Sequence, residues 1–89
     1  MRKILKTTRF SKDIQNLSSD VQKVAWRVVL LLSKNVLNKR LAIKKLEGYK
    51  GIWRVKVKKD YRLIFTFDKE NLYLLRIKHR KEIYKRRID

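Results

Sequence analysis

Apolar and polar residues alternate in three successive runs between positions 52 and 79 of the chain. Because successive residues of a β-strand point to opposite sides of a sheet, each run predicts a strand with one apolar face. The residues predicted to share that face are Trp53, Val55, Val57, Tyr61, Leu63, Phe65, Phe67, Tyr73, Leu75 and Ile77. Short polar segments at 59–60 and 68–71 separate the runs and predict hairpin turns. The pattern therefore predicts a three-stranded antiparallel meander.

The opposite face of this meander is basic. Alternate positions of the same runs carry Arg54, Lys56, Arg62, Arg76 and Lys78. A sheet with one apolar face needs a second layer of the protein to cover it. The remainder of the chain is therefore expected to cover the apolar face and to frame the basic one.

Two helices are predicted before the meander. Residues 2–8 are rich in Ile, Leu and Thr, which predicts a short N-terminal strand at an edge of the sheet or beside its last strand. Ser11 is the predicted N-cap of a first helix, and Asp13 in its first turn is favoured by the helix dipole. Ser19 and Gln22 have capping-box spacing at the start of a second helix, which is expected to lie across the sheet. The apolar positions of the second helix are Val21, Val24, Ala25, Val28, Leu31 and Leu32.

After Lys78 the alternation ends, and residues 80–87 predict a short C-terminal helix with Ile83 turned inward. The chain thus predicts an α+β fold. A small antiparallel sheet, made of the N-terminal strand and the three-stranded meander, is backed by two N-terminal helices. The 89 residues suffice for one small domain, residues 1–89. Its predicted core comprises Val21, Val24, Val28, Leu31, Val55, Val57, Leu63, Phe65, Leu75 and Ile77.

Charge is the strongest signal in the composition. The chain has 26 Lys and Arg residues against 8 Asp and Glu residues, a formal net charge of +18. Because 44% of the residues are hydrophobic, this charge is expected on a folded surface, where it favours polyanions. The chain has no Cys, and its most apolar run, residues 24–32, is far shorter than a membrane span. We therefore expect a cytoplasmic protein that is not inserted in a membrane.

The inventory of side chains argues against several kinds of active site. His79 is the only His and Cys is absent, so a zinc site is not expected. The few acidic residues are scattered and predict no Mg²⁺ cluster of the kind found in two-metal nucleases. With only Gly48 and Gly51, a glycine-rich phosphate loop is excluded. We expect no metal and no cofactor.

The remaining basic set suits metal-free cleavage of RNA by its own 2′-hydroxyl group. Arg binds phosphate through its planar fork, and His79 is suited to giving or taking a proton near neutral pH. Tyr84 could stack on a base or bind a phosphate. The residues alone leave a second interpretation open, because a row of Arg and Lys on a strand is most often a solvated face. Nucleic-acid or ribosome binding without catalysis fits the same composition.

Four short motifs carry more information than the composition. They are Leu46-Glu47-Gly48, Trp53-Arg54-Val55-Lys56-Val57, Asp60-Tyr61-Arg62-Leu63-Ile64-Phe65 and His79-Arg80-Lys81-Glu82-Ile83-Tyr84. In this order the chain resembles the RelE/ParE superfamily of bacterial and archaeal toxins across nearly its full length. The resemblance implies a small antiparallel sheet backed by two N-terminal helices. It also implies that RelE-like members cleave mRNA in the ribosomal A site and are neutralised by an antitoxin, whereas ParE-like members poison DNA gyrase.

The resemblance implies roles for individual residues. Lys56 and Arg62 match basic catalytic positions of RelE-like toxins, and Tyr84 matches their C-terminal tyrosine. His79 is a further catalytic candidate, because some relatives use a histidine near this position. Arg54 stands where RelE has a lysine and cannot act as a base, since a guanidinium stays charged, so the base falls to Lys56 or His79. The residues expected to bind RNA are Arg54, Arg76, Lys78 and Arg80.

We therefore predict a toxin of a type II toxin–antitoxin module, a ribosome-associated and metal-independent endoribonuclease that cleaves mRNA by 2′-hydroxyl attack. Its expected partners are an acidic cognate antitoxin, the ribosome and mRNA. Two alternatives remain: a ParE-like inhibitor of DNA gyrase without chemistry, and a non-catalytic RNA- or ribosome-binding protein. The set Arg54, Lys56, Arg62, His79 and Tyr84 favours the endoribonuclease.

Overall fold

In the computed structural model, which describes residues 1–83, two helices pack on one face of a five-stranded sheet. The elements in chain order are β1 (Lys3–Lys6), α1 (Thr8–Gln15), α2 (Ser19–Lys34), β2 (Ile43–Lys45), β3 (Trp53–Val57), β4 (Tyr61–Phe67), β5 (Asn71–His79) and α3 (Arg80–Ile83). Across the described part of the chain, no helix combines the length and the apolar character needed to span a bilayer.

The strands lie in the order β1-β5-β4-β3-β2. The meander β3–β4–β5 is antiparallel as predicted, and β1 lies at an edge beside the last strand. The α+β fold is thereby confirmed, but the sheet is mixed, since β1 runs parallel to β5. The sheet also has a strand that alternation did not reveal, β2, which pairs with β3. Three residues are too few for a period of two to stand out in a sequence.

Both N-terminal helices begin earlier than the sequence predicts. The hydroxyl of Thr7 accepts a hydrogen bond from the Phe10 N–H group at 3.1 Å and caps α1, so the predicted cap Ser11 lies inside the helix. Ser18, rather than Ser19, caps α2 by accepting from the Val21 N–H group. Cap preference places Ser above Thr and so favours Ser11 over Thr7, and it does not distinguish Ser18 from Ser19.

The main core lies between the helices and the sheet. Its buried members are Phe10, Ile14, Val21, Ala25, Val28, Val29, Leu32, Val36, Val55, Val57, Leu63, Phe65, Leu72, Leu74 and Ile77. Three residues predicted for this core are not among its buried members: Leu31, Val24 and Leu75. Leu31 is 41% exposed, because the sheet covers only one side of α2. Val24 packs at the margin of the core and is partly buried.

A register shift in β5 explains why Leu75 lies outside the main core. Ile64 pairs with Arg76 but Phe65 pairs with Leu74, so Leu75 is an extra residue that opposes no partner. An extra residue reverses the direction of every side chain on one side of it. Leu72 and Leu74 therefore face the helices together with Ile77. The prediction that Tyr73 and Leu75 share the face of Ile77 is wrong.

A second, smaller core lies on the other face of the sheet. Leu46, Ile64 and Ile83 are buried there, and Tyr49, Ile52 and Leu75 pack against them. The prediction that Ile83 turns inward is confirmed. The described part of the predicted C-terminal helix is α3, and residues 84–89 lie outside the described residues.

Candidate functional site

Three cations lie side by side on the face of the sheet that is turned away from α1 and α2, here called the open face. Lys56 on β3 pairs in register with Arg62 on β4, and Arg62 pairs with Lys78 on β5. Residues directly opposite each other on neighbouring antiparallel strands have Cβ atoms about 5 Å apart. Lys56, Arg62 and Lys78 therefore form one row across three strands, which we call the basic ladder. Such a row concentrates positive charge where a phosphate could be held.

The side chain of Arg62 is anchored by the turn between β3 and β4. One of its terminal nitrogens, Nη1, donates to the carbonyl oxygens of Lys59 at 3.1 Å and Tyr61 at 2.9 Å. The turn itself is tight, since Lys58 has a φ of 54°, in the left-handed region. These contacts restrain the guanidinium while leaving its other N–H donors for a ligand.

A second row lies one step along the strands from the basic ladder. Arg54 on β3 pairs with Ile64 on β4, which pairs with Arg76 on β5. Lys44 on β2 extends the row beyond Arg54. Because Ile64 belongs to the second core, this row has an apolar centre between two cations. Arg54 and Lys44 thus extend the positive charge of the open face toward the β2 edge.

Arg76 is held by a carboxylate from α1. Its Nε donates to Oδ2 of Asp13 at 2.7 Å, and its Nη2 donates to Oδ1 at 3.2 Å, so the pair is bidentate. The side chain of Asp13 is only 6% exposed. The hydrogen bond with Asp13 raises the pKa of Arg76, because it favours the charged guanidinium. Lys78 also approaches Asp13, with Nζ 3.4 Å from Oδ1.

Asp13 is a site residue that the sequence prediction assigned only to a helix turn. A signal for it was present, because Asp13 falls at helical spacing within the apolar stripe of Phe10, Ile14 and Leu17. A carboxylate among core residues has to be paired or hydrogen-bonded. Which cations would meet it depended on the packing of α1 against β5.

His79 lies away from the basic ladder. It pairs with Tyr61 across the strands, and the two rings meet edge to face with centroids 5.5 Å apart. Tyr61 packs against the main core, so this pair is on the helix side at the end of the sheet. The Nδ1 atom of His79 accepts a hydrogen bond from the Lys81 N–H group at 3.1 Å, which leaves Nε2 to carry the proton of the neutral ring.

Two predicted site residues remain, Arg80 and Tyr84. Arg80 follows β5 directly and makes an exposed ion pair with Asp60, with Nε 3.4 Å from Oδ1. Tyr84 falls outside the described residues. The structure thus brings together Lys56, Arg62 and Lys78, with Arg54 on the neighbouring row. It places Arg76, His79 and Arg80 in separate surroundings.

The donor set of the site is one of cations and backbone groups. Among residues 1–83, no group of three or more His, Cys, Asp or Glu side chains is arranged to hold a metal ion. A row of Lys and Arg can bind phosphate oxygens, stabilise negative charge that develops on them and, through a neutral lysine, accept a proton.

Comparisons with known proteins agree with this architecture. A family model described as the ParE toxin of a type II toxin–antitoxin system, parDE, matches residues 4–84. Toxin RelE3 of Methanocaldococcus jannaschii is 31% identical over 87 residues, which cover 92% of this chain and 94% of that protein.

Solved structures show the same fold. The RelB-RelE antitoxin-toxin complex from Methanococcus jannaschii contains a chain that matches with a TM-score of 0.76 and 28% identity, covering 90% of this chain and 94% of that one. The archaeal RelE-RelB complex from Pyrococcus horikoshii OT3 matches with a TM-score of 0.75 over 91% of this chain and 97% of that one, and at 19% identity it supports the fold alone. From the family match, the sequence relative and the shared fold, we conclude that the chain belongs to the RelE/ParE superfamily of type II toxin–antitoxin toxins.

Proposed function

We propose that this toxin is a ribosome-associated endoribonuclease that cleaves mRNA without a metal ion. The observation that carries the proposal is the basic ladder, in which Lys56, Arg62 and Lys78 stand in register on three neighbouring strands. Arg54 lies on the next row of the same face. A member of this superfamily that only bound a protein target would not need three cations in register on neighbouring strands.

In the proposed reaction the substrate supplies its own nucleophile. The 2′-oxygen forms a bond to phosphorus as the bond to the 5′-oxygen breaks, which leaves a 2′,3′-cyclic phosphate and a free 5′-hydroxyl. Lys56, in its neutral form, takes the proton from the 2′-hydroxyl. Arg54 and Arg62 stabilise the charge on the phosphate oxygens, and Lys78 gives a proton to the departing 5′-oxygen.

The placement of the two candidate bases supports Lys56 over His79. Lys56 is exposed and lies in the ladder beside Arg62, whereas the ring of His79 packs against Tyr61 on the helix side. A general base has to reach the proton it removes, within about 3 Å or through one water molecule. His79 remains the second candidate, at the end of the same strand as Lys78.

The proposal is tested by primer extension on mRNA incubated with ribosomes and the purified protein. We expect discrete breaks that appear only when ribosomes are present, with cyclic phosphate at the upstream ends. Chelation of metal during the cleavage step should not prevent the breaks if polyamines keep the ribosomes assembled. Intact mRNA in every condition would contradict the proposal.

A second candidate is favoured by the description of the matching family model, which is that of a ParE toxin. In that case the protein would inhibit DNA gyrase by binding it, without chemistry. A supercoiling assay with gyrase and relaxed plasmid separates the two functions. Inhibition of supercoiling together with intact mRNA would favour the second candidate.

We further propose an acidic antitoxin that binds this protein and neutralises it. Two of the solved relatives are toxin chains in complex with an antitoxin. The formal charge of +18 on a small domain favours a partner of opposite charge. Overproduction of the protein alone should arrest growth, and co-expression of the antitoxin should restore it. Normal growth without the antitoxin would count against both the toxin and its partner.

A further inference from the structure

A carboxylate from α1 completes the free edge of β5 behind the open face. Within residues 1–83, β1 pairs with residues 71–74 of β5, and no described strand lies beside the later part of that edge. There the Ile77 N–H group donates to Oδ2 of Asp13 at 3.1 Å. Just before Ile77 in β5, the carbonyl oxygens of Leu74 and Leu75 each lie 3.0 Å from the Thr7 hydroxyl oxygen. Thr7, the cap of α1, and Asp13, within α1, therefore take the place of a strand along β5.

The same carboxylate contacts the two cations that flank Ile77. It holds Arg76 through two nitrogens, and the side chain of Arg76 is 19% exposed. Lys78 makes a single approach at 3.4 Å, and its side chain is 35% exposed. The guanidinium is thus occupied by Asp13, whereas the ammonium group keeps donors for a second partner.

We propose that Asp13 is a positioning residue for the basic ladder, which withdraws Arg76 from phosphate binding and fixes the Lys78 ammonium group at the β5 end of the ladder. This inference rests on the proposed function and extends it to a buried residue that does not touch the substrate. A charged lysine side chain has many rotamers in water, and a fixed anion beside it selects among them. Asp13 also removes positive charge from one end of the open face, which limits binding of RNA in unproductive positions.

The first test is Asp13→Asn, compared with Asp20→Asn. Both changes remove one negative charge, but Asp20 is exposed in the first turn of α2, away from the ladder. Asparagine keeps an oxygen that can accept from Ile77. Binding of a short fluorescent single-stranded RNA is measured as a function of salt concentration. Asp13→Asn should steepen the dependence of log K on log salt by about 0.7, because Arg76 becomes available to one phosphate. Asp20→Asn should leave the slope at the parental value.

The second test is single-turnover cleavage of ribosome-bound mRNA. Asp13→Asn should cleave about 10–100 times more slowly although it binds RNA at least as well, because small displacements of a reacting group cost rate rather than affinity. Asp13→Glu keeps the charge but moves the carboxylate by one methylene group. Asp13→Glu should lower the cleavage rate by a similar factor, and its RNA binding should depend on salt as that of the parent does. If Asp13 acted through its charge alone, Asp13→Glu would cleave at the parental rate.

A double-variant cycle identifies the residue through which Asp13 acts. Lys78→Ala should lower the cleavage rate, and adding Asp13→Asn to Lys78→Ala should lower it no further. Full additivity of the two changes, or a parental rate for Asp13→Glu, would overturn the positioning role. If Asp13→Asn does not fold, Asp13→Glu and Lys78→Ala decide the question.

The outcome for Asp13 is distinguishable from the outcome for the proposed function. If the parental protein cleaves no mRNA, the endoribonuclease proposal fails, and the RNA-binding measurement alone judges this inference. A steeper salt slope for Asp13→Asn than for Asp20→Asn would then still support the withdrawal of Arg76 by Asp13. Equal slopes for the parent and for Asp13→Asn would reject it.

Discussion

Replacing Arg76 with Met should destabilise this domain strongly, although Arg76 lies at the margin of the open face. Methionine keeps most of the apolar stem of arginine, so the change removes chiefly the guanidinium group. Asp13 would be left 6% exposed without its bidentate partner. Breaking a buried ion pair by removing one partner costs about 3–5 kcal/mol. We expect the lower end, about 3 kcal/mol, because Lys78 and the Ile77 N–H group still contact the carboxylate.

A loss of this size is large for a chain of 89 residues. At the usual stability per residue, the whole domain is worth roughly 4–13 kcal/mol. For a domain of this size each kcal/mol shifts Tm by about 4–8 °C, so Arg76→Met should lower Tm by roughly 12–24 °C. Urea unfolding and thermal melting, both followed by circular dichroism, measure the change.

Arg80→Met is the matched control. Arg80 pairs with Asp60 at 3.4 Å, but the two side chains are 50% and 45% exposed. Exposed ion pairs contribute about 0–1 kcal/mol, so this variant should unfold close to the parent. The double variant Asp13→Asn with Arg76→Met should recover much of the lost stability, because no buried charge is then left unpaired. Equal stability of Arg76→Met and Arg80→Met would refute the reasoning.

Five further substitutions test other parts of the molecule. Lys56→Ala should lower the single-turnover cleavage rate by a factor of about 10²–10⁴ and leave RNA binding nearly intact. His79→Ala should lower the rate much less. Parental cleavage rates for both variants would remove the catalytic assignment. Val28→Asp should prevent folding, because it puts a charge at a core position that is 7% exposed. A soluble variant with parental urea unfolding would show that the core-facing side of α2 is assigned wrongly. Lys58→Gly should raise stability by about 0.5–1 kcal/mol by relieving the φ of 54°, measured as a higher urea midpoint. Hydrogen bonds from the backbone N–H groups of Glu70 and Asn71 lower the pKa of Asp68 below its usual 3.8. The contribution of Asp68 to stability is therefore present above pH 3.8 and is lost as the pH falls through the folded-state pKa. Asp68→Asn should make the free energy of unfolding less sensitive to acid in this range.

The direction of side chains along β3 and β4 was predictable from alternation alone. Val55, Val57, Leu63 and Phe65 all lie in the main core as expected. Side-chain direction within an uninterrupted strand is a local property of the backbone, so it can be read without knowing what the strand packs against. The same argument predicted that Lys56 and Arg62 would share the opposite face, and they pair directly.

Alternation failed in β5, where the chain contains an extra residue. The sequence around Leu74 and Leu75 is apolar at both positions, so neither phase of the alternation is excluded. The phase is set by pairing with β4 on one side and with β1 on the other. Leu72 and Leu74 face the helices because the shift reverses the phase before Arg76.

By itself the sequence determined the class of the fold, the meander, the basic character of its open face and the family to which the chain belongs. Those properties depend on local periodicity, on composition and on short motifs. Only the tertiary structure decided which cations of that face are available to a ligand. Arg76 and Lys78 look equivalent in the sequence, yet Asp13, more than sixty residues earlier, binds one through two nitrogens and approaches the other only once. The reason is physical: a buried carboxylate has to be neutralised by whatever the packing brings near it, and that packing joins parts of the chain that no local pattern connects.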